Sequence, residues 1–285
     1  MFHSRPGALK YLIFLLYYLY WRSGAVCRKG REMTTSTVCP HSEHISLPCL
    51  NRVQWRQPFV WLRRGVDDFR HNWWTSTLYG SVFAVMGYLL VNHGWERHAV
   101  AITLTSGFLL VSPFLAVVFY ELSRRKEYPN EKPFASVRGN LASIGLYAFV
   151  LMFMLSAWER ITAILAGLHL SSDHVPDASF AWLFSSANLD FVIAFIVVGA
   201  LLAAVVFAIS VVSLPMLMDR RIDIVTAIMT SLWAVRENPR AMLVWAAAIT
   251  VLTAIGIATS FIGLVLIFPV LGHATWHAYR DLVQS

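Results

Sequence analysis

Four stretches, Trp73 to Val91, Ala99 to Tyr120, Leu141 to Ala157 and Leu189 to Leu217, contain no Lys or Arg, and their one acidic residue is Asp190 at the start of the fourth. A helix rising about 1.5 Å per residue needs about twenty apolar residues to cross about 30 Å of hydrocarbon. Each stretch therefore predicts a spanning helix. A fifth, Ala241 to Gly272, runs 32 residues without a charge and continues amphipathically to Tyr279. That is too long for one crossing, and it predicts two short helices turning near Gly256.

The polar segments between these runs repeat. Residues 59–72 (FVWLRRGVDDFRHN) align without a gap on 225–238 (VTAIMTSLWAVREN). Phe59, Leu62, Val66 and Phe69 fall on Val225, Ile228, Leu232 and Val235, the spacing of one apolar helix face. Both segments close on Arg-x-Asn, at Arg70 and Asn72 and at Arg236 and Asn238. Phe134, Val137, Arg138 and Asn140 keep the same offsets before the third run. Pro113 to Arg124 likewise aligns on Pro269 to Arg280, with Leu115 on Leu271 and Tyr120 on Trp276. The economical arrangement is an all-α membrane bundle of three repeats, each an interfacial helix plus a two-helix hairpin. It gives six transmembrane helices over residues 58–285, preceded by a disordered cytoplasmic leader, 1–57.

Composition agrees: 57% of the 285 residues are hydrophobic and 14% charged, and the mean hydropathy is +0.58, well above an ordinary soluble domain. The formal net charge of +7 could suggest a nucleic-acid partner until the charges are placed. From residue 33 onward, fifteen of seventeen Lys and Arg flank the odd-numbered starts and even-numbered ends of the spans, and only Arg97 and Arg160 fall on the opposite side. This is the positive-inside asymmetry of a membrane protein with both termini in the cytoplasm. It accounts for the charge without nucleic acid. Trp73, Trp74, Trp95, Trp158, Trp182, Trp233 and Trp276 stand near the run ends, where interfacial aromatic anchors belong. Between Trp158 and Ser186, the apolar piece Ile161 to Leu170 is too short to span and is expected to lie on the outer surface.

The first 32 residues stand apart. Tyr11 to Trp21 is too short to cross and is followed by Arg22, Arg28, Lys29 and Arg31, unlike a cleavable signal peptide. The expectation is that translation starts at Met33. All three cysteines, Cys27, Cys39 and Cys49, lie in the first fifty residues, so a disulfide framework cannot staple the spans.

Candidate chemistry is sparse. Cys39, His41, His44 and Cys49 are zinc-ligand types on the tail, but their spacing matches no established finger. His273 and His277 share a helix face and, with His71, are the residues a metal or haem edge would use. They also fit interfacial histidines bonded to headgroups or backbone. Asp67 and Asp68 are expected to pair with Arg63 and Arg64 at i,i+4 on the surface helix. No Asp, Glu, Lys, Arg or His lies at mid-depth in any predicted span, which argues against an ion-coupled pump. Ala200, Ala204 and Ala208, with Gly199, Gly256 and Gly263, are small residues suited to close helix approach within the bundle or between copies.

WLRRGVDDFRHN (61–72), TSTLYGSVFAVMGYLL (75–90), LPMLMDRRIDIVTAIMTSLWAVRENP (214–239) and PVLGHATWHAYRDLV (269–283) together resemble a bacterial family of predicted multi-pass integral membrane proteins, a domain of unknown function. Some members carry the label cytochrome c oxidase subunit I, which this chain matches in neither helix number nor histidine placement. The resemblance spans about residues 50–283 and implies an inner-membrane protein without an assigned activity, catalytic residue or cofactor. The leading expectation is a non-catalytic structural or accessory membrane protein. Its basic face would meet anionic lipid headgroups, and a second copy or another membrane protein would be its partner. The alternatives are a transporter or channel for an uncharged or anionic solute, with a polar pocket around Ser106, Ser112, Ser210 and Ser213, and a haem-bearing electron-transfer subunit.

Overall fold

The computed structural model describes residues 37–38, 48–93, 116–130, 132, 134–169 and 189–284. It is mostly helical. The helices are α1 (Gln57–His71), α2 (Trp73–His93), α3 (116–127), α4 (Ala135–Gly139), α5 (Leu141–His169), α6 (Leu189–Ser210), α7 (Ser213–Asp219), α8 (Ile224–Glu237), α9 (Pro239–Ala258) and α10 (Leu264–Leu282). Two short strands, β1 (Thr37–Val38) and β2 (Leu50–Asn51), pair antiparallel with Val38 opposite Leu50.

Among the described residues three helical segments have the length and apolarity to cross a membrane: Leu141–Leu165, Leu189–Asp219 and Pro239–Ala258. The first predicted run is also a single helix, α2. Most of the second, 99–120, lies outside the described residues, as does all of 170–188; the piece from Ile161, expected to lie separately on the outer surface, instead continues α5 unbroken to His169. The long final run divides as predicted, but at Thr259–Gly263 rather than at Gly256. Ser260 and Phe261 take left-handed φ values of 53° and 68° there, while the Thr259 hydroxyl donates to the Gly256 carbonyl and accepts from the Gly263 amide. Gly256 stays inside α9, where a β-carbon would come within 2.3 Å of Leu264 Cδ2. It makes room for the returning helix instead of turning the chain.

The three Arg-x-Asn sequences end in one local geometry. Asn72, Asn140 and Asn238 have φ near −112°, −133° and −125° and cap α1, α4 and α8. Each then accepts, through its carbonyl, the amide four residues on, at Ser76, Ile144 and Met242. One residue therefore closes a short helix and opens the longer one after it.

α10 is the centre of the packing. Leu264, Pro269, Leu271, Gly272, His273, Ala274, Trp276, Ala278, Tyr279 and Leu282 are buried. α2 meets it with Ser76, Gly80, Phe83, Ala84 and Gly87, a buried face at helical spacing. A β-carbon on Gly80 would lie 2.3 Å from the Val265 carbonyl oxygen, and one on Gly65 of α1 would lie 2.7 Å from that of Val270. At both places only glycine lets the backbones approach this closely. Phe83 stacks on Phe268 with ring centres 3.8 Å apart. Trp276, expected as an interfacial anchor, is fully buried, whereas Trp73 and Trp74 are exposed. Residues 48–56, part of the expected leader, are pinned to this core: Leu50 is buried and bridged to Val283, and Arg52 pairs with Glu237 at 2.7 Å.

The outer helices differ. α6 has no buried residue, and Ala200 and Ala204 of the small-residue row are exposed. Gly199 instead faces the Trp158 ring.

Candidate functional site

The charged side chains that the apolar runs exclude gather around the C-terminal half of α10. Trp61, Gly65 and Asp68 form the buried face of α1. With Gly65 letting α1 ride against Val270 and Ala274, Asp68 comes over His277. The Asp68 carboxylate accepts from His277 Nε2 at 2.9 Å, Lys126 Nζ at 2.7 Å and Ser123 Oγ at 2.6 Å. Burial alone would raise its pKa, but the bonds from His277, Lys126 and Ser123 outweigh burial and hold the carboxyl well below the ordinary range. Arg64, expected to pair with Asp68, instead meets Asp281 at 3.0 Å. Asp67 is exposed and faces Arg70 at 4.0 Å. The expected Arg64–Asp68 pair is thus replaced by bonds between helices, because α1 turns Asp68 inward, and the expected Arg63–Asp67 pair by an i,i+3 contact within α1.

His273 is fully buried. Its Nδ1 lies 2.7 Å from Ser123 Oγ and its Nε2 3.0 Å from Ser76 Oγ. Ser123 has one proton and gives it to Asp68, so the network assigns Nδ1–H as donor to Ser123 and Nε2 as acceptor from Ser76. The result is a continuous chain, Ser76 to His273 to Ser123 to Asp68, in which every ring nitrogen is engaged.

Three more carboxylates repeat the theme. Asp281 accepts from Gln57, Trp61 and Arg64 of α1. Asp219, at the end of α7, accepts from the Tyr279 hydroxyl at 2.7 Å and meets Arg124 and Arg280 at 3.4 Å each. Glu127 of α3 takes the Trp276 indole at 3.1 Å and Arg280 at 2.9 Å. α1, α3 and α7 are thereby tied to one helix, each bond satisfying a group that burial would otherwise penalise. Chemically, this arrangement is a clamp.

Of the metal or haem candidates, His273 and His277 belong to this network, and His71 is exposed at the end of α1, outside it. Both ring nitrogens of His273 are taken by serines and Nε2 of His277 by Asp68, so metal ligation would first have to break these bonds. Among the described residues no group of three or more His, Cys, Asp or Glu side chains is arranged to hold a metal ion. Cys39, His41 and His44 lie outside the described residues. Cys49 is disulfide-bonded, which removes it as a thiolate ligand in this structure. Of the pocket serines, Ser106 and Ser112 lie outside the described residues. Ser213 donates to the Ile209 and Ala227 carbonyls. The Ser210 and Tyr147 hydroxyls are buried facing each other, without a well-formed hydrogen bond to any other group.

Asp281, Asp219, Ser76, Ser123 and Lys126 were missing from the sequence expectations. One signal was available: His273, His277 and Asp281 recur every four residues, a polar row on a helix whose other faces are apolar.

Residues 100–219 match the model of a family described as predicted integral membrane protein (DUF2189). No curated protein and no solved structure matches the chain.

Proposed function

We propose that this membrane protein is a non-catalytic structural or accessory component of a bacterial inner membrane, built of six crossings with both termini in the cytoplasm and acting through helix packing. The observation that carries the proposal is the division of labour between helices. The polar groups of α1, α3, α7 and α10 largely satisfy one another, whereas α6 has no fully buried residue and, away from the side that meets Trp158, offers an apolar surface to lipid, a second copy or a partner. The shared geometry of Asn72, Asn140 and Asn238 supports the threefold layout, and the basic residues beside these turns support the cytoplasmic placement of that end.

A second reading, a carrier for an uncharged or anionic solute, has one observation in its favour: the buried hydroxyls of Tyr147 and Ser210, which face each other and have no well-formed hydrogen bond to any other group. Reconstituted vesicles separate the two. Osmotic shrinkage in glycerol, urea and chloride gradients is expected to match protein-free vesicles. A solute-specific flux that falls in Tyr147→Phe would overturn the accessory reading in favour of the carrier. Reporter fusions address topology: a C-terminal alkaline phosphatase active outside the cytoplasm would remove the sixth crossing and the repeat.

A further inference from the structure

Beside the turn at Asn140 an open groove of about 430 Å³ is lined by Asn140, Ser143, Arg221, Ile222, Asp223 and Thr226. Its position in the chain is informative: one candidate span begins at Leu141 and another ends at Asp219, so the groove lies where two spans meet the membrane boundary. Its walls are fixed to each other, since the Asn140 amide donates to the carbonyls of Leu217 at 3.0 Å and Arg220 at 3.2 Å.

Two opposite charges face this groove without neutralising each other. Arg221 lies so close over Gly139 that a β-carbon there would stand 2.8 Å from its Nε, yet its guanidinium makes no hydrogen bond or ion pair among the described residues. Asp223 caps α8, accepting from the Thr226 amide at 2.9 Å and its hydroxyl at 2.6 Å. These bonds hold its carboxyl below the ordinary range, so it is an anion at neutral pH. An unpaired guanidinium matches a phosphate diester, and a carboxylate lining the same groove two residues along the chain matches an ammonium. A purely anionic headgroup would satisfy the first and be repelled by the second.

We infer that this groove seats the headgroup of a phospholipid carrying both phosphate and ammonium, with Arg221 on the phosphate and Asp223 on the amine. The inference rests on the proposed placement of α5 and the α6–α7 segment as spans, and it names one lipid class that the basic face would select.

The test uses the full chain in mild detergent, with its thermal midpoint followed as phosphatidylethanolamine, phosphatidylglycerol, phosphoethanolamine or inorganic phosphate is added. Phosphatidylethanolamine is expected to stabilise most, at the lowest concentration. Arg221→Gln should weaken its apparent affinity by about tenfold or more, the scale of one charge-assisted bond. Asp223→Asn keeps a good helix cap; it should weaken phosphatidylethanolamine while leaving phosphatidylglycerol unchanged or improved. Gly139→Ala retains both charges but displaces the guanidinium, and is expected to weaken the same lipid by a smaller factor. Equal stabilisation by both lipids, insensitivity to Arg221→Gln, or full stabilisation by phosphoethanolamine or inorganic phosphate alone would each overturn the inference. A wild-type chain that enters vesicles without discriminating these lipids sinks the headgroup site alone, whereas one that stays in the aqueous phase sinks the membrane placement with it.

Discussion

α10 and α6 are similar in length and both rich in apolar residues, yet they solve opposite problems. α10 is surrounded by its own chain: glycines at 65 and 80 bring α1 and α2 onto its backbone, and carboxylates from three other elements are bonded along or beside it. α6 has a strongly apolar sequence with no buried position. In water the second would be a liability. In a bilayer exposed leucine and valine cost little, association comes from close packing and interhelical hydrogen bonds, and specificity resides where small and polar residues are. The difference teaches that hydrophobicity marks which segments reside in the membrane, while the sparse Gly, Ser, His and Asp positions determine how they assemble.

The largest expected effect that would break this comparison comes from the glycines. Gly80→Ala drives a β-carbon into the Val265 carbonyl and should destabilise by about 3 kcal/mol or prevent assembly. Gly145→Ala in α5, where nothing lies within 4 Å, should be neutral or slightly stabilising. Unfolding by titrated dodecyl sulfate compares them directly, and equal losses at the two sites would abolish the distinction.

Next comes Asp68→Ala, expected to cost about 3 kcal/mol because it strands Lys126 and His277 beside a buried position. The fold lowers this carboxyl's pKa, so its contribution is complete above the ordinary carboxylate value of about 3.9 and is lost as pH falls from there toward the folded-state value. Stability measured from pH 7 to pH 3 should therefore fall at the acid end in the wild type and fall less in Asp68→Asn. Ser123→Ala, which cuts the link between His273 and Asp68, should cost about 2 kcal/mol. The smallest effect is expected in α6: Leu201→Ala, at a 64% exposed position, should change the stability of the isolated chain by about 0.5 kcal/mol or less. A large loss there, accompanied by a change in oligomer size on a sizing column, would sharpen the picture by showing that a second copy covers this face.

The membrane-resident helices were legible because apolar runs are a one-dimensional property, readable without knowing any partner. The Asn turns were legible as a repeat, since three copies of a short pattern stand in the same relation to the runs that follow. The clamp was not. Asp68 beside Arg64 satisfies the local pairing rule, and nothing within one helical turn indicates that Gly65 will bring a distant helix near enough to claim the carboxylate instead. Trp276 illustrates the same limit: at the end of an apolar run it resembles a surface anchor, and only Glu127 and the surrounding α3 reveal it as core. Gly256 signalled a turn because glycine permits one, whereas close packing against Leu264 was its actual use.

The clamp also has a consequence in time. Asp68 and His277 are 209 residues apart, and at about 5–20 residues per second synthesis takes on the order of 10–40 s to travel from one to the other. Throughout that interval α1 and α2 exist without the helix that fills their glycine notches and without the histidine that Asp68 awaits. Early surveillance would therefore meet a half-built protein whose acid has only Ser123 and Lys126, 55 and 58 residues on, to answer it, and an uncovered groove of backbone. The arrival of α10 closes both together, so completion of assembly is registered in a single docking event.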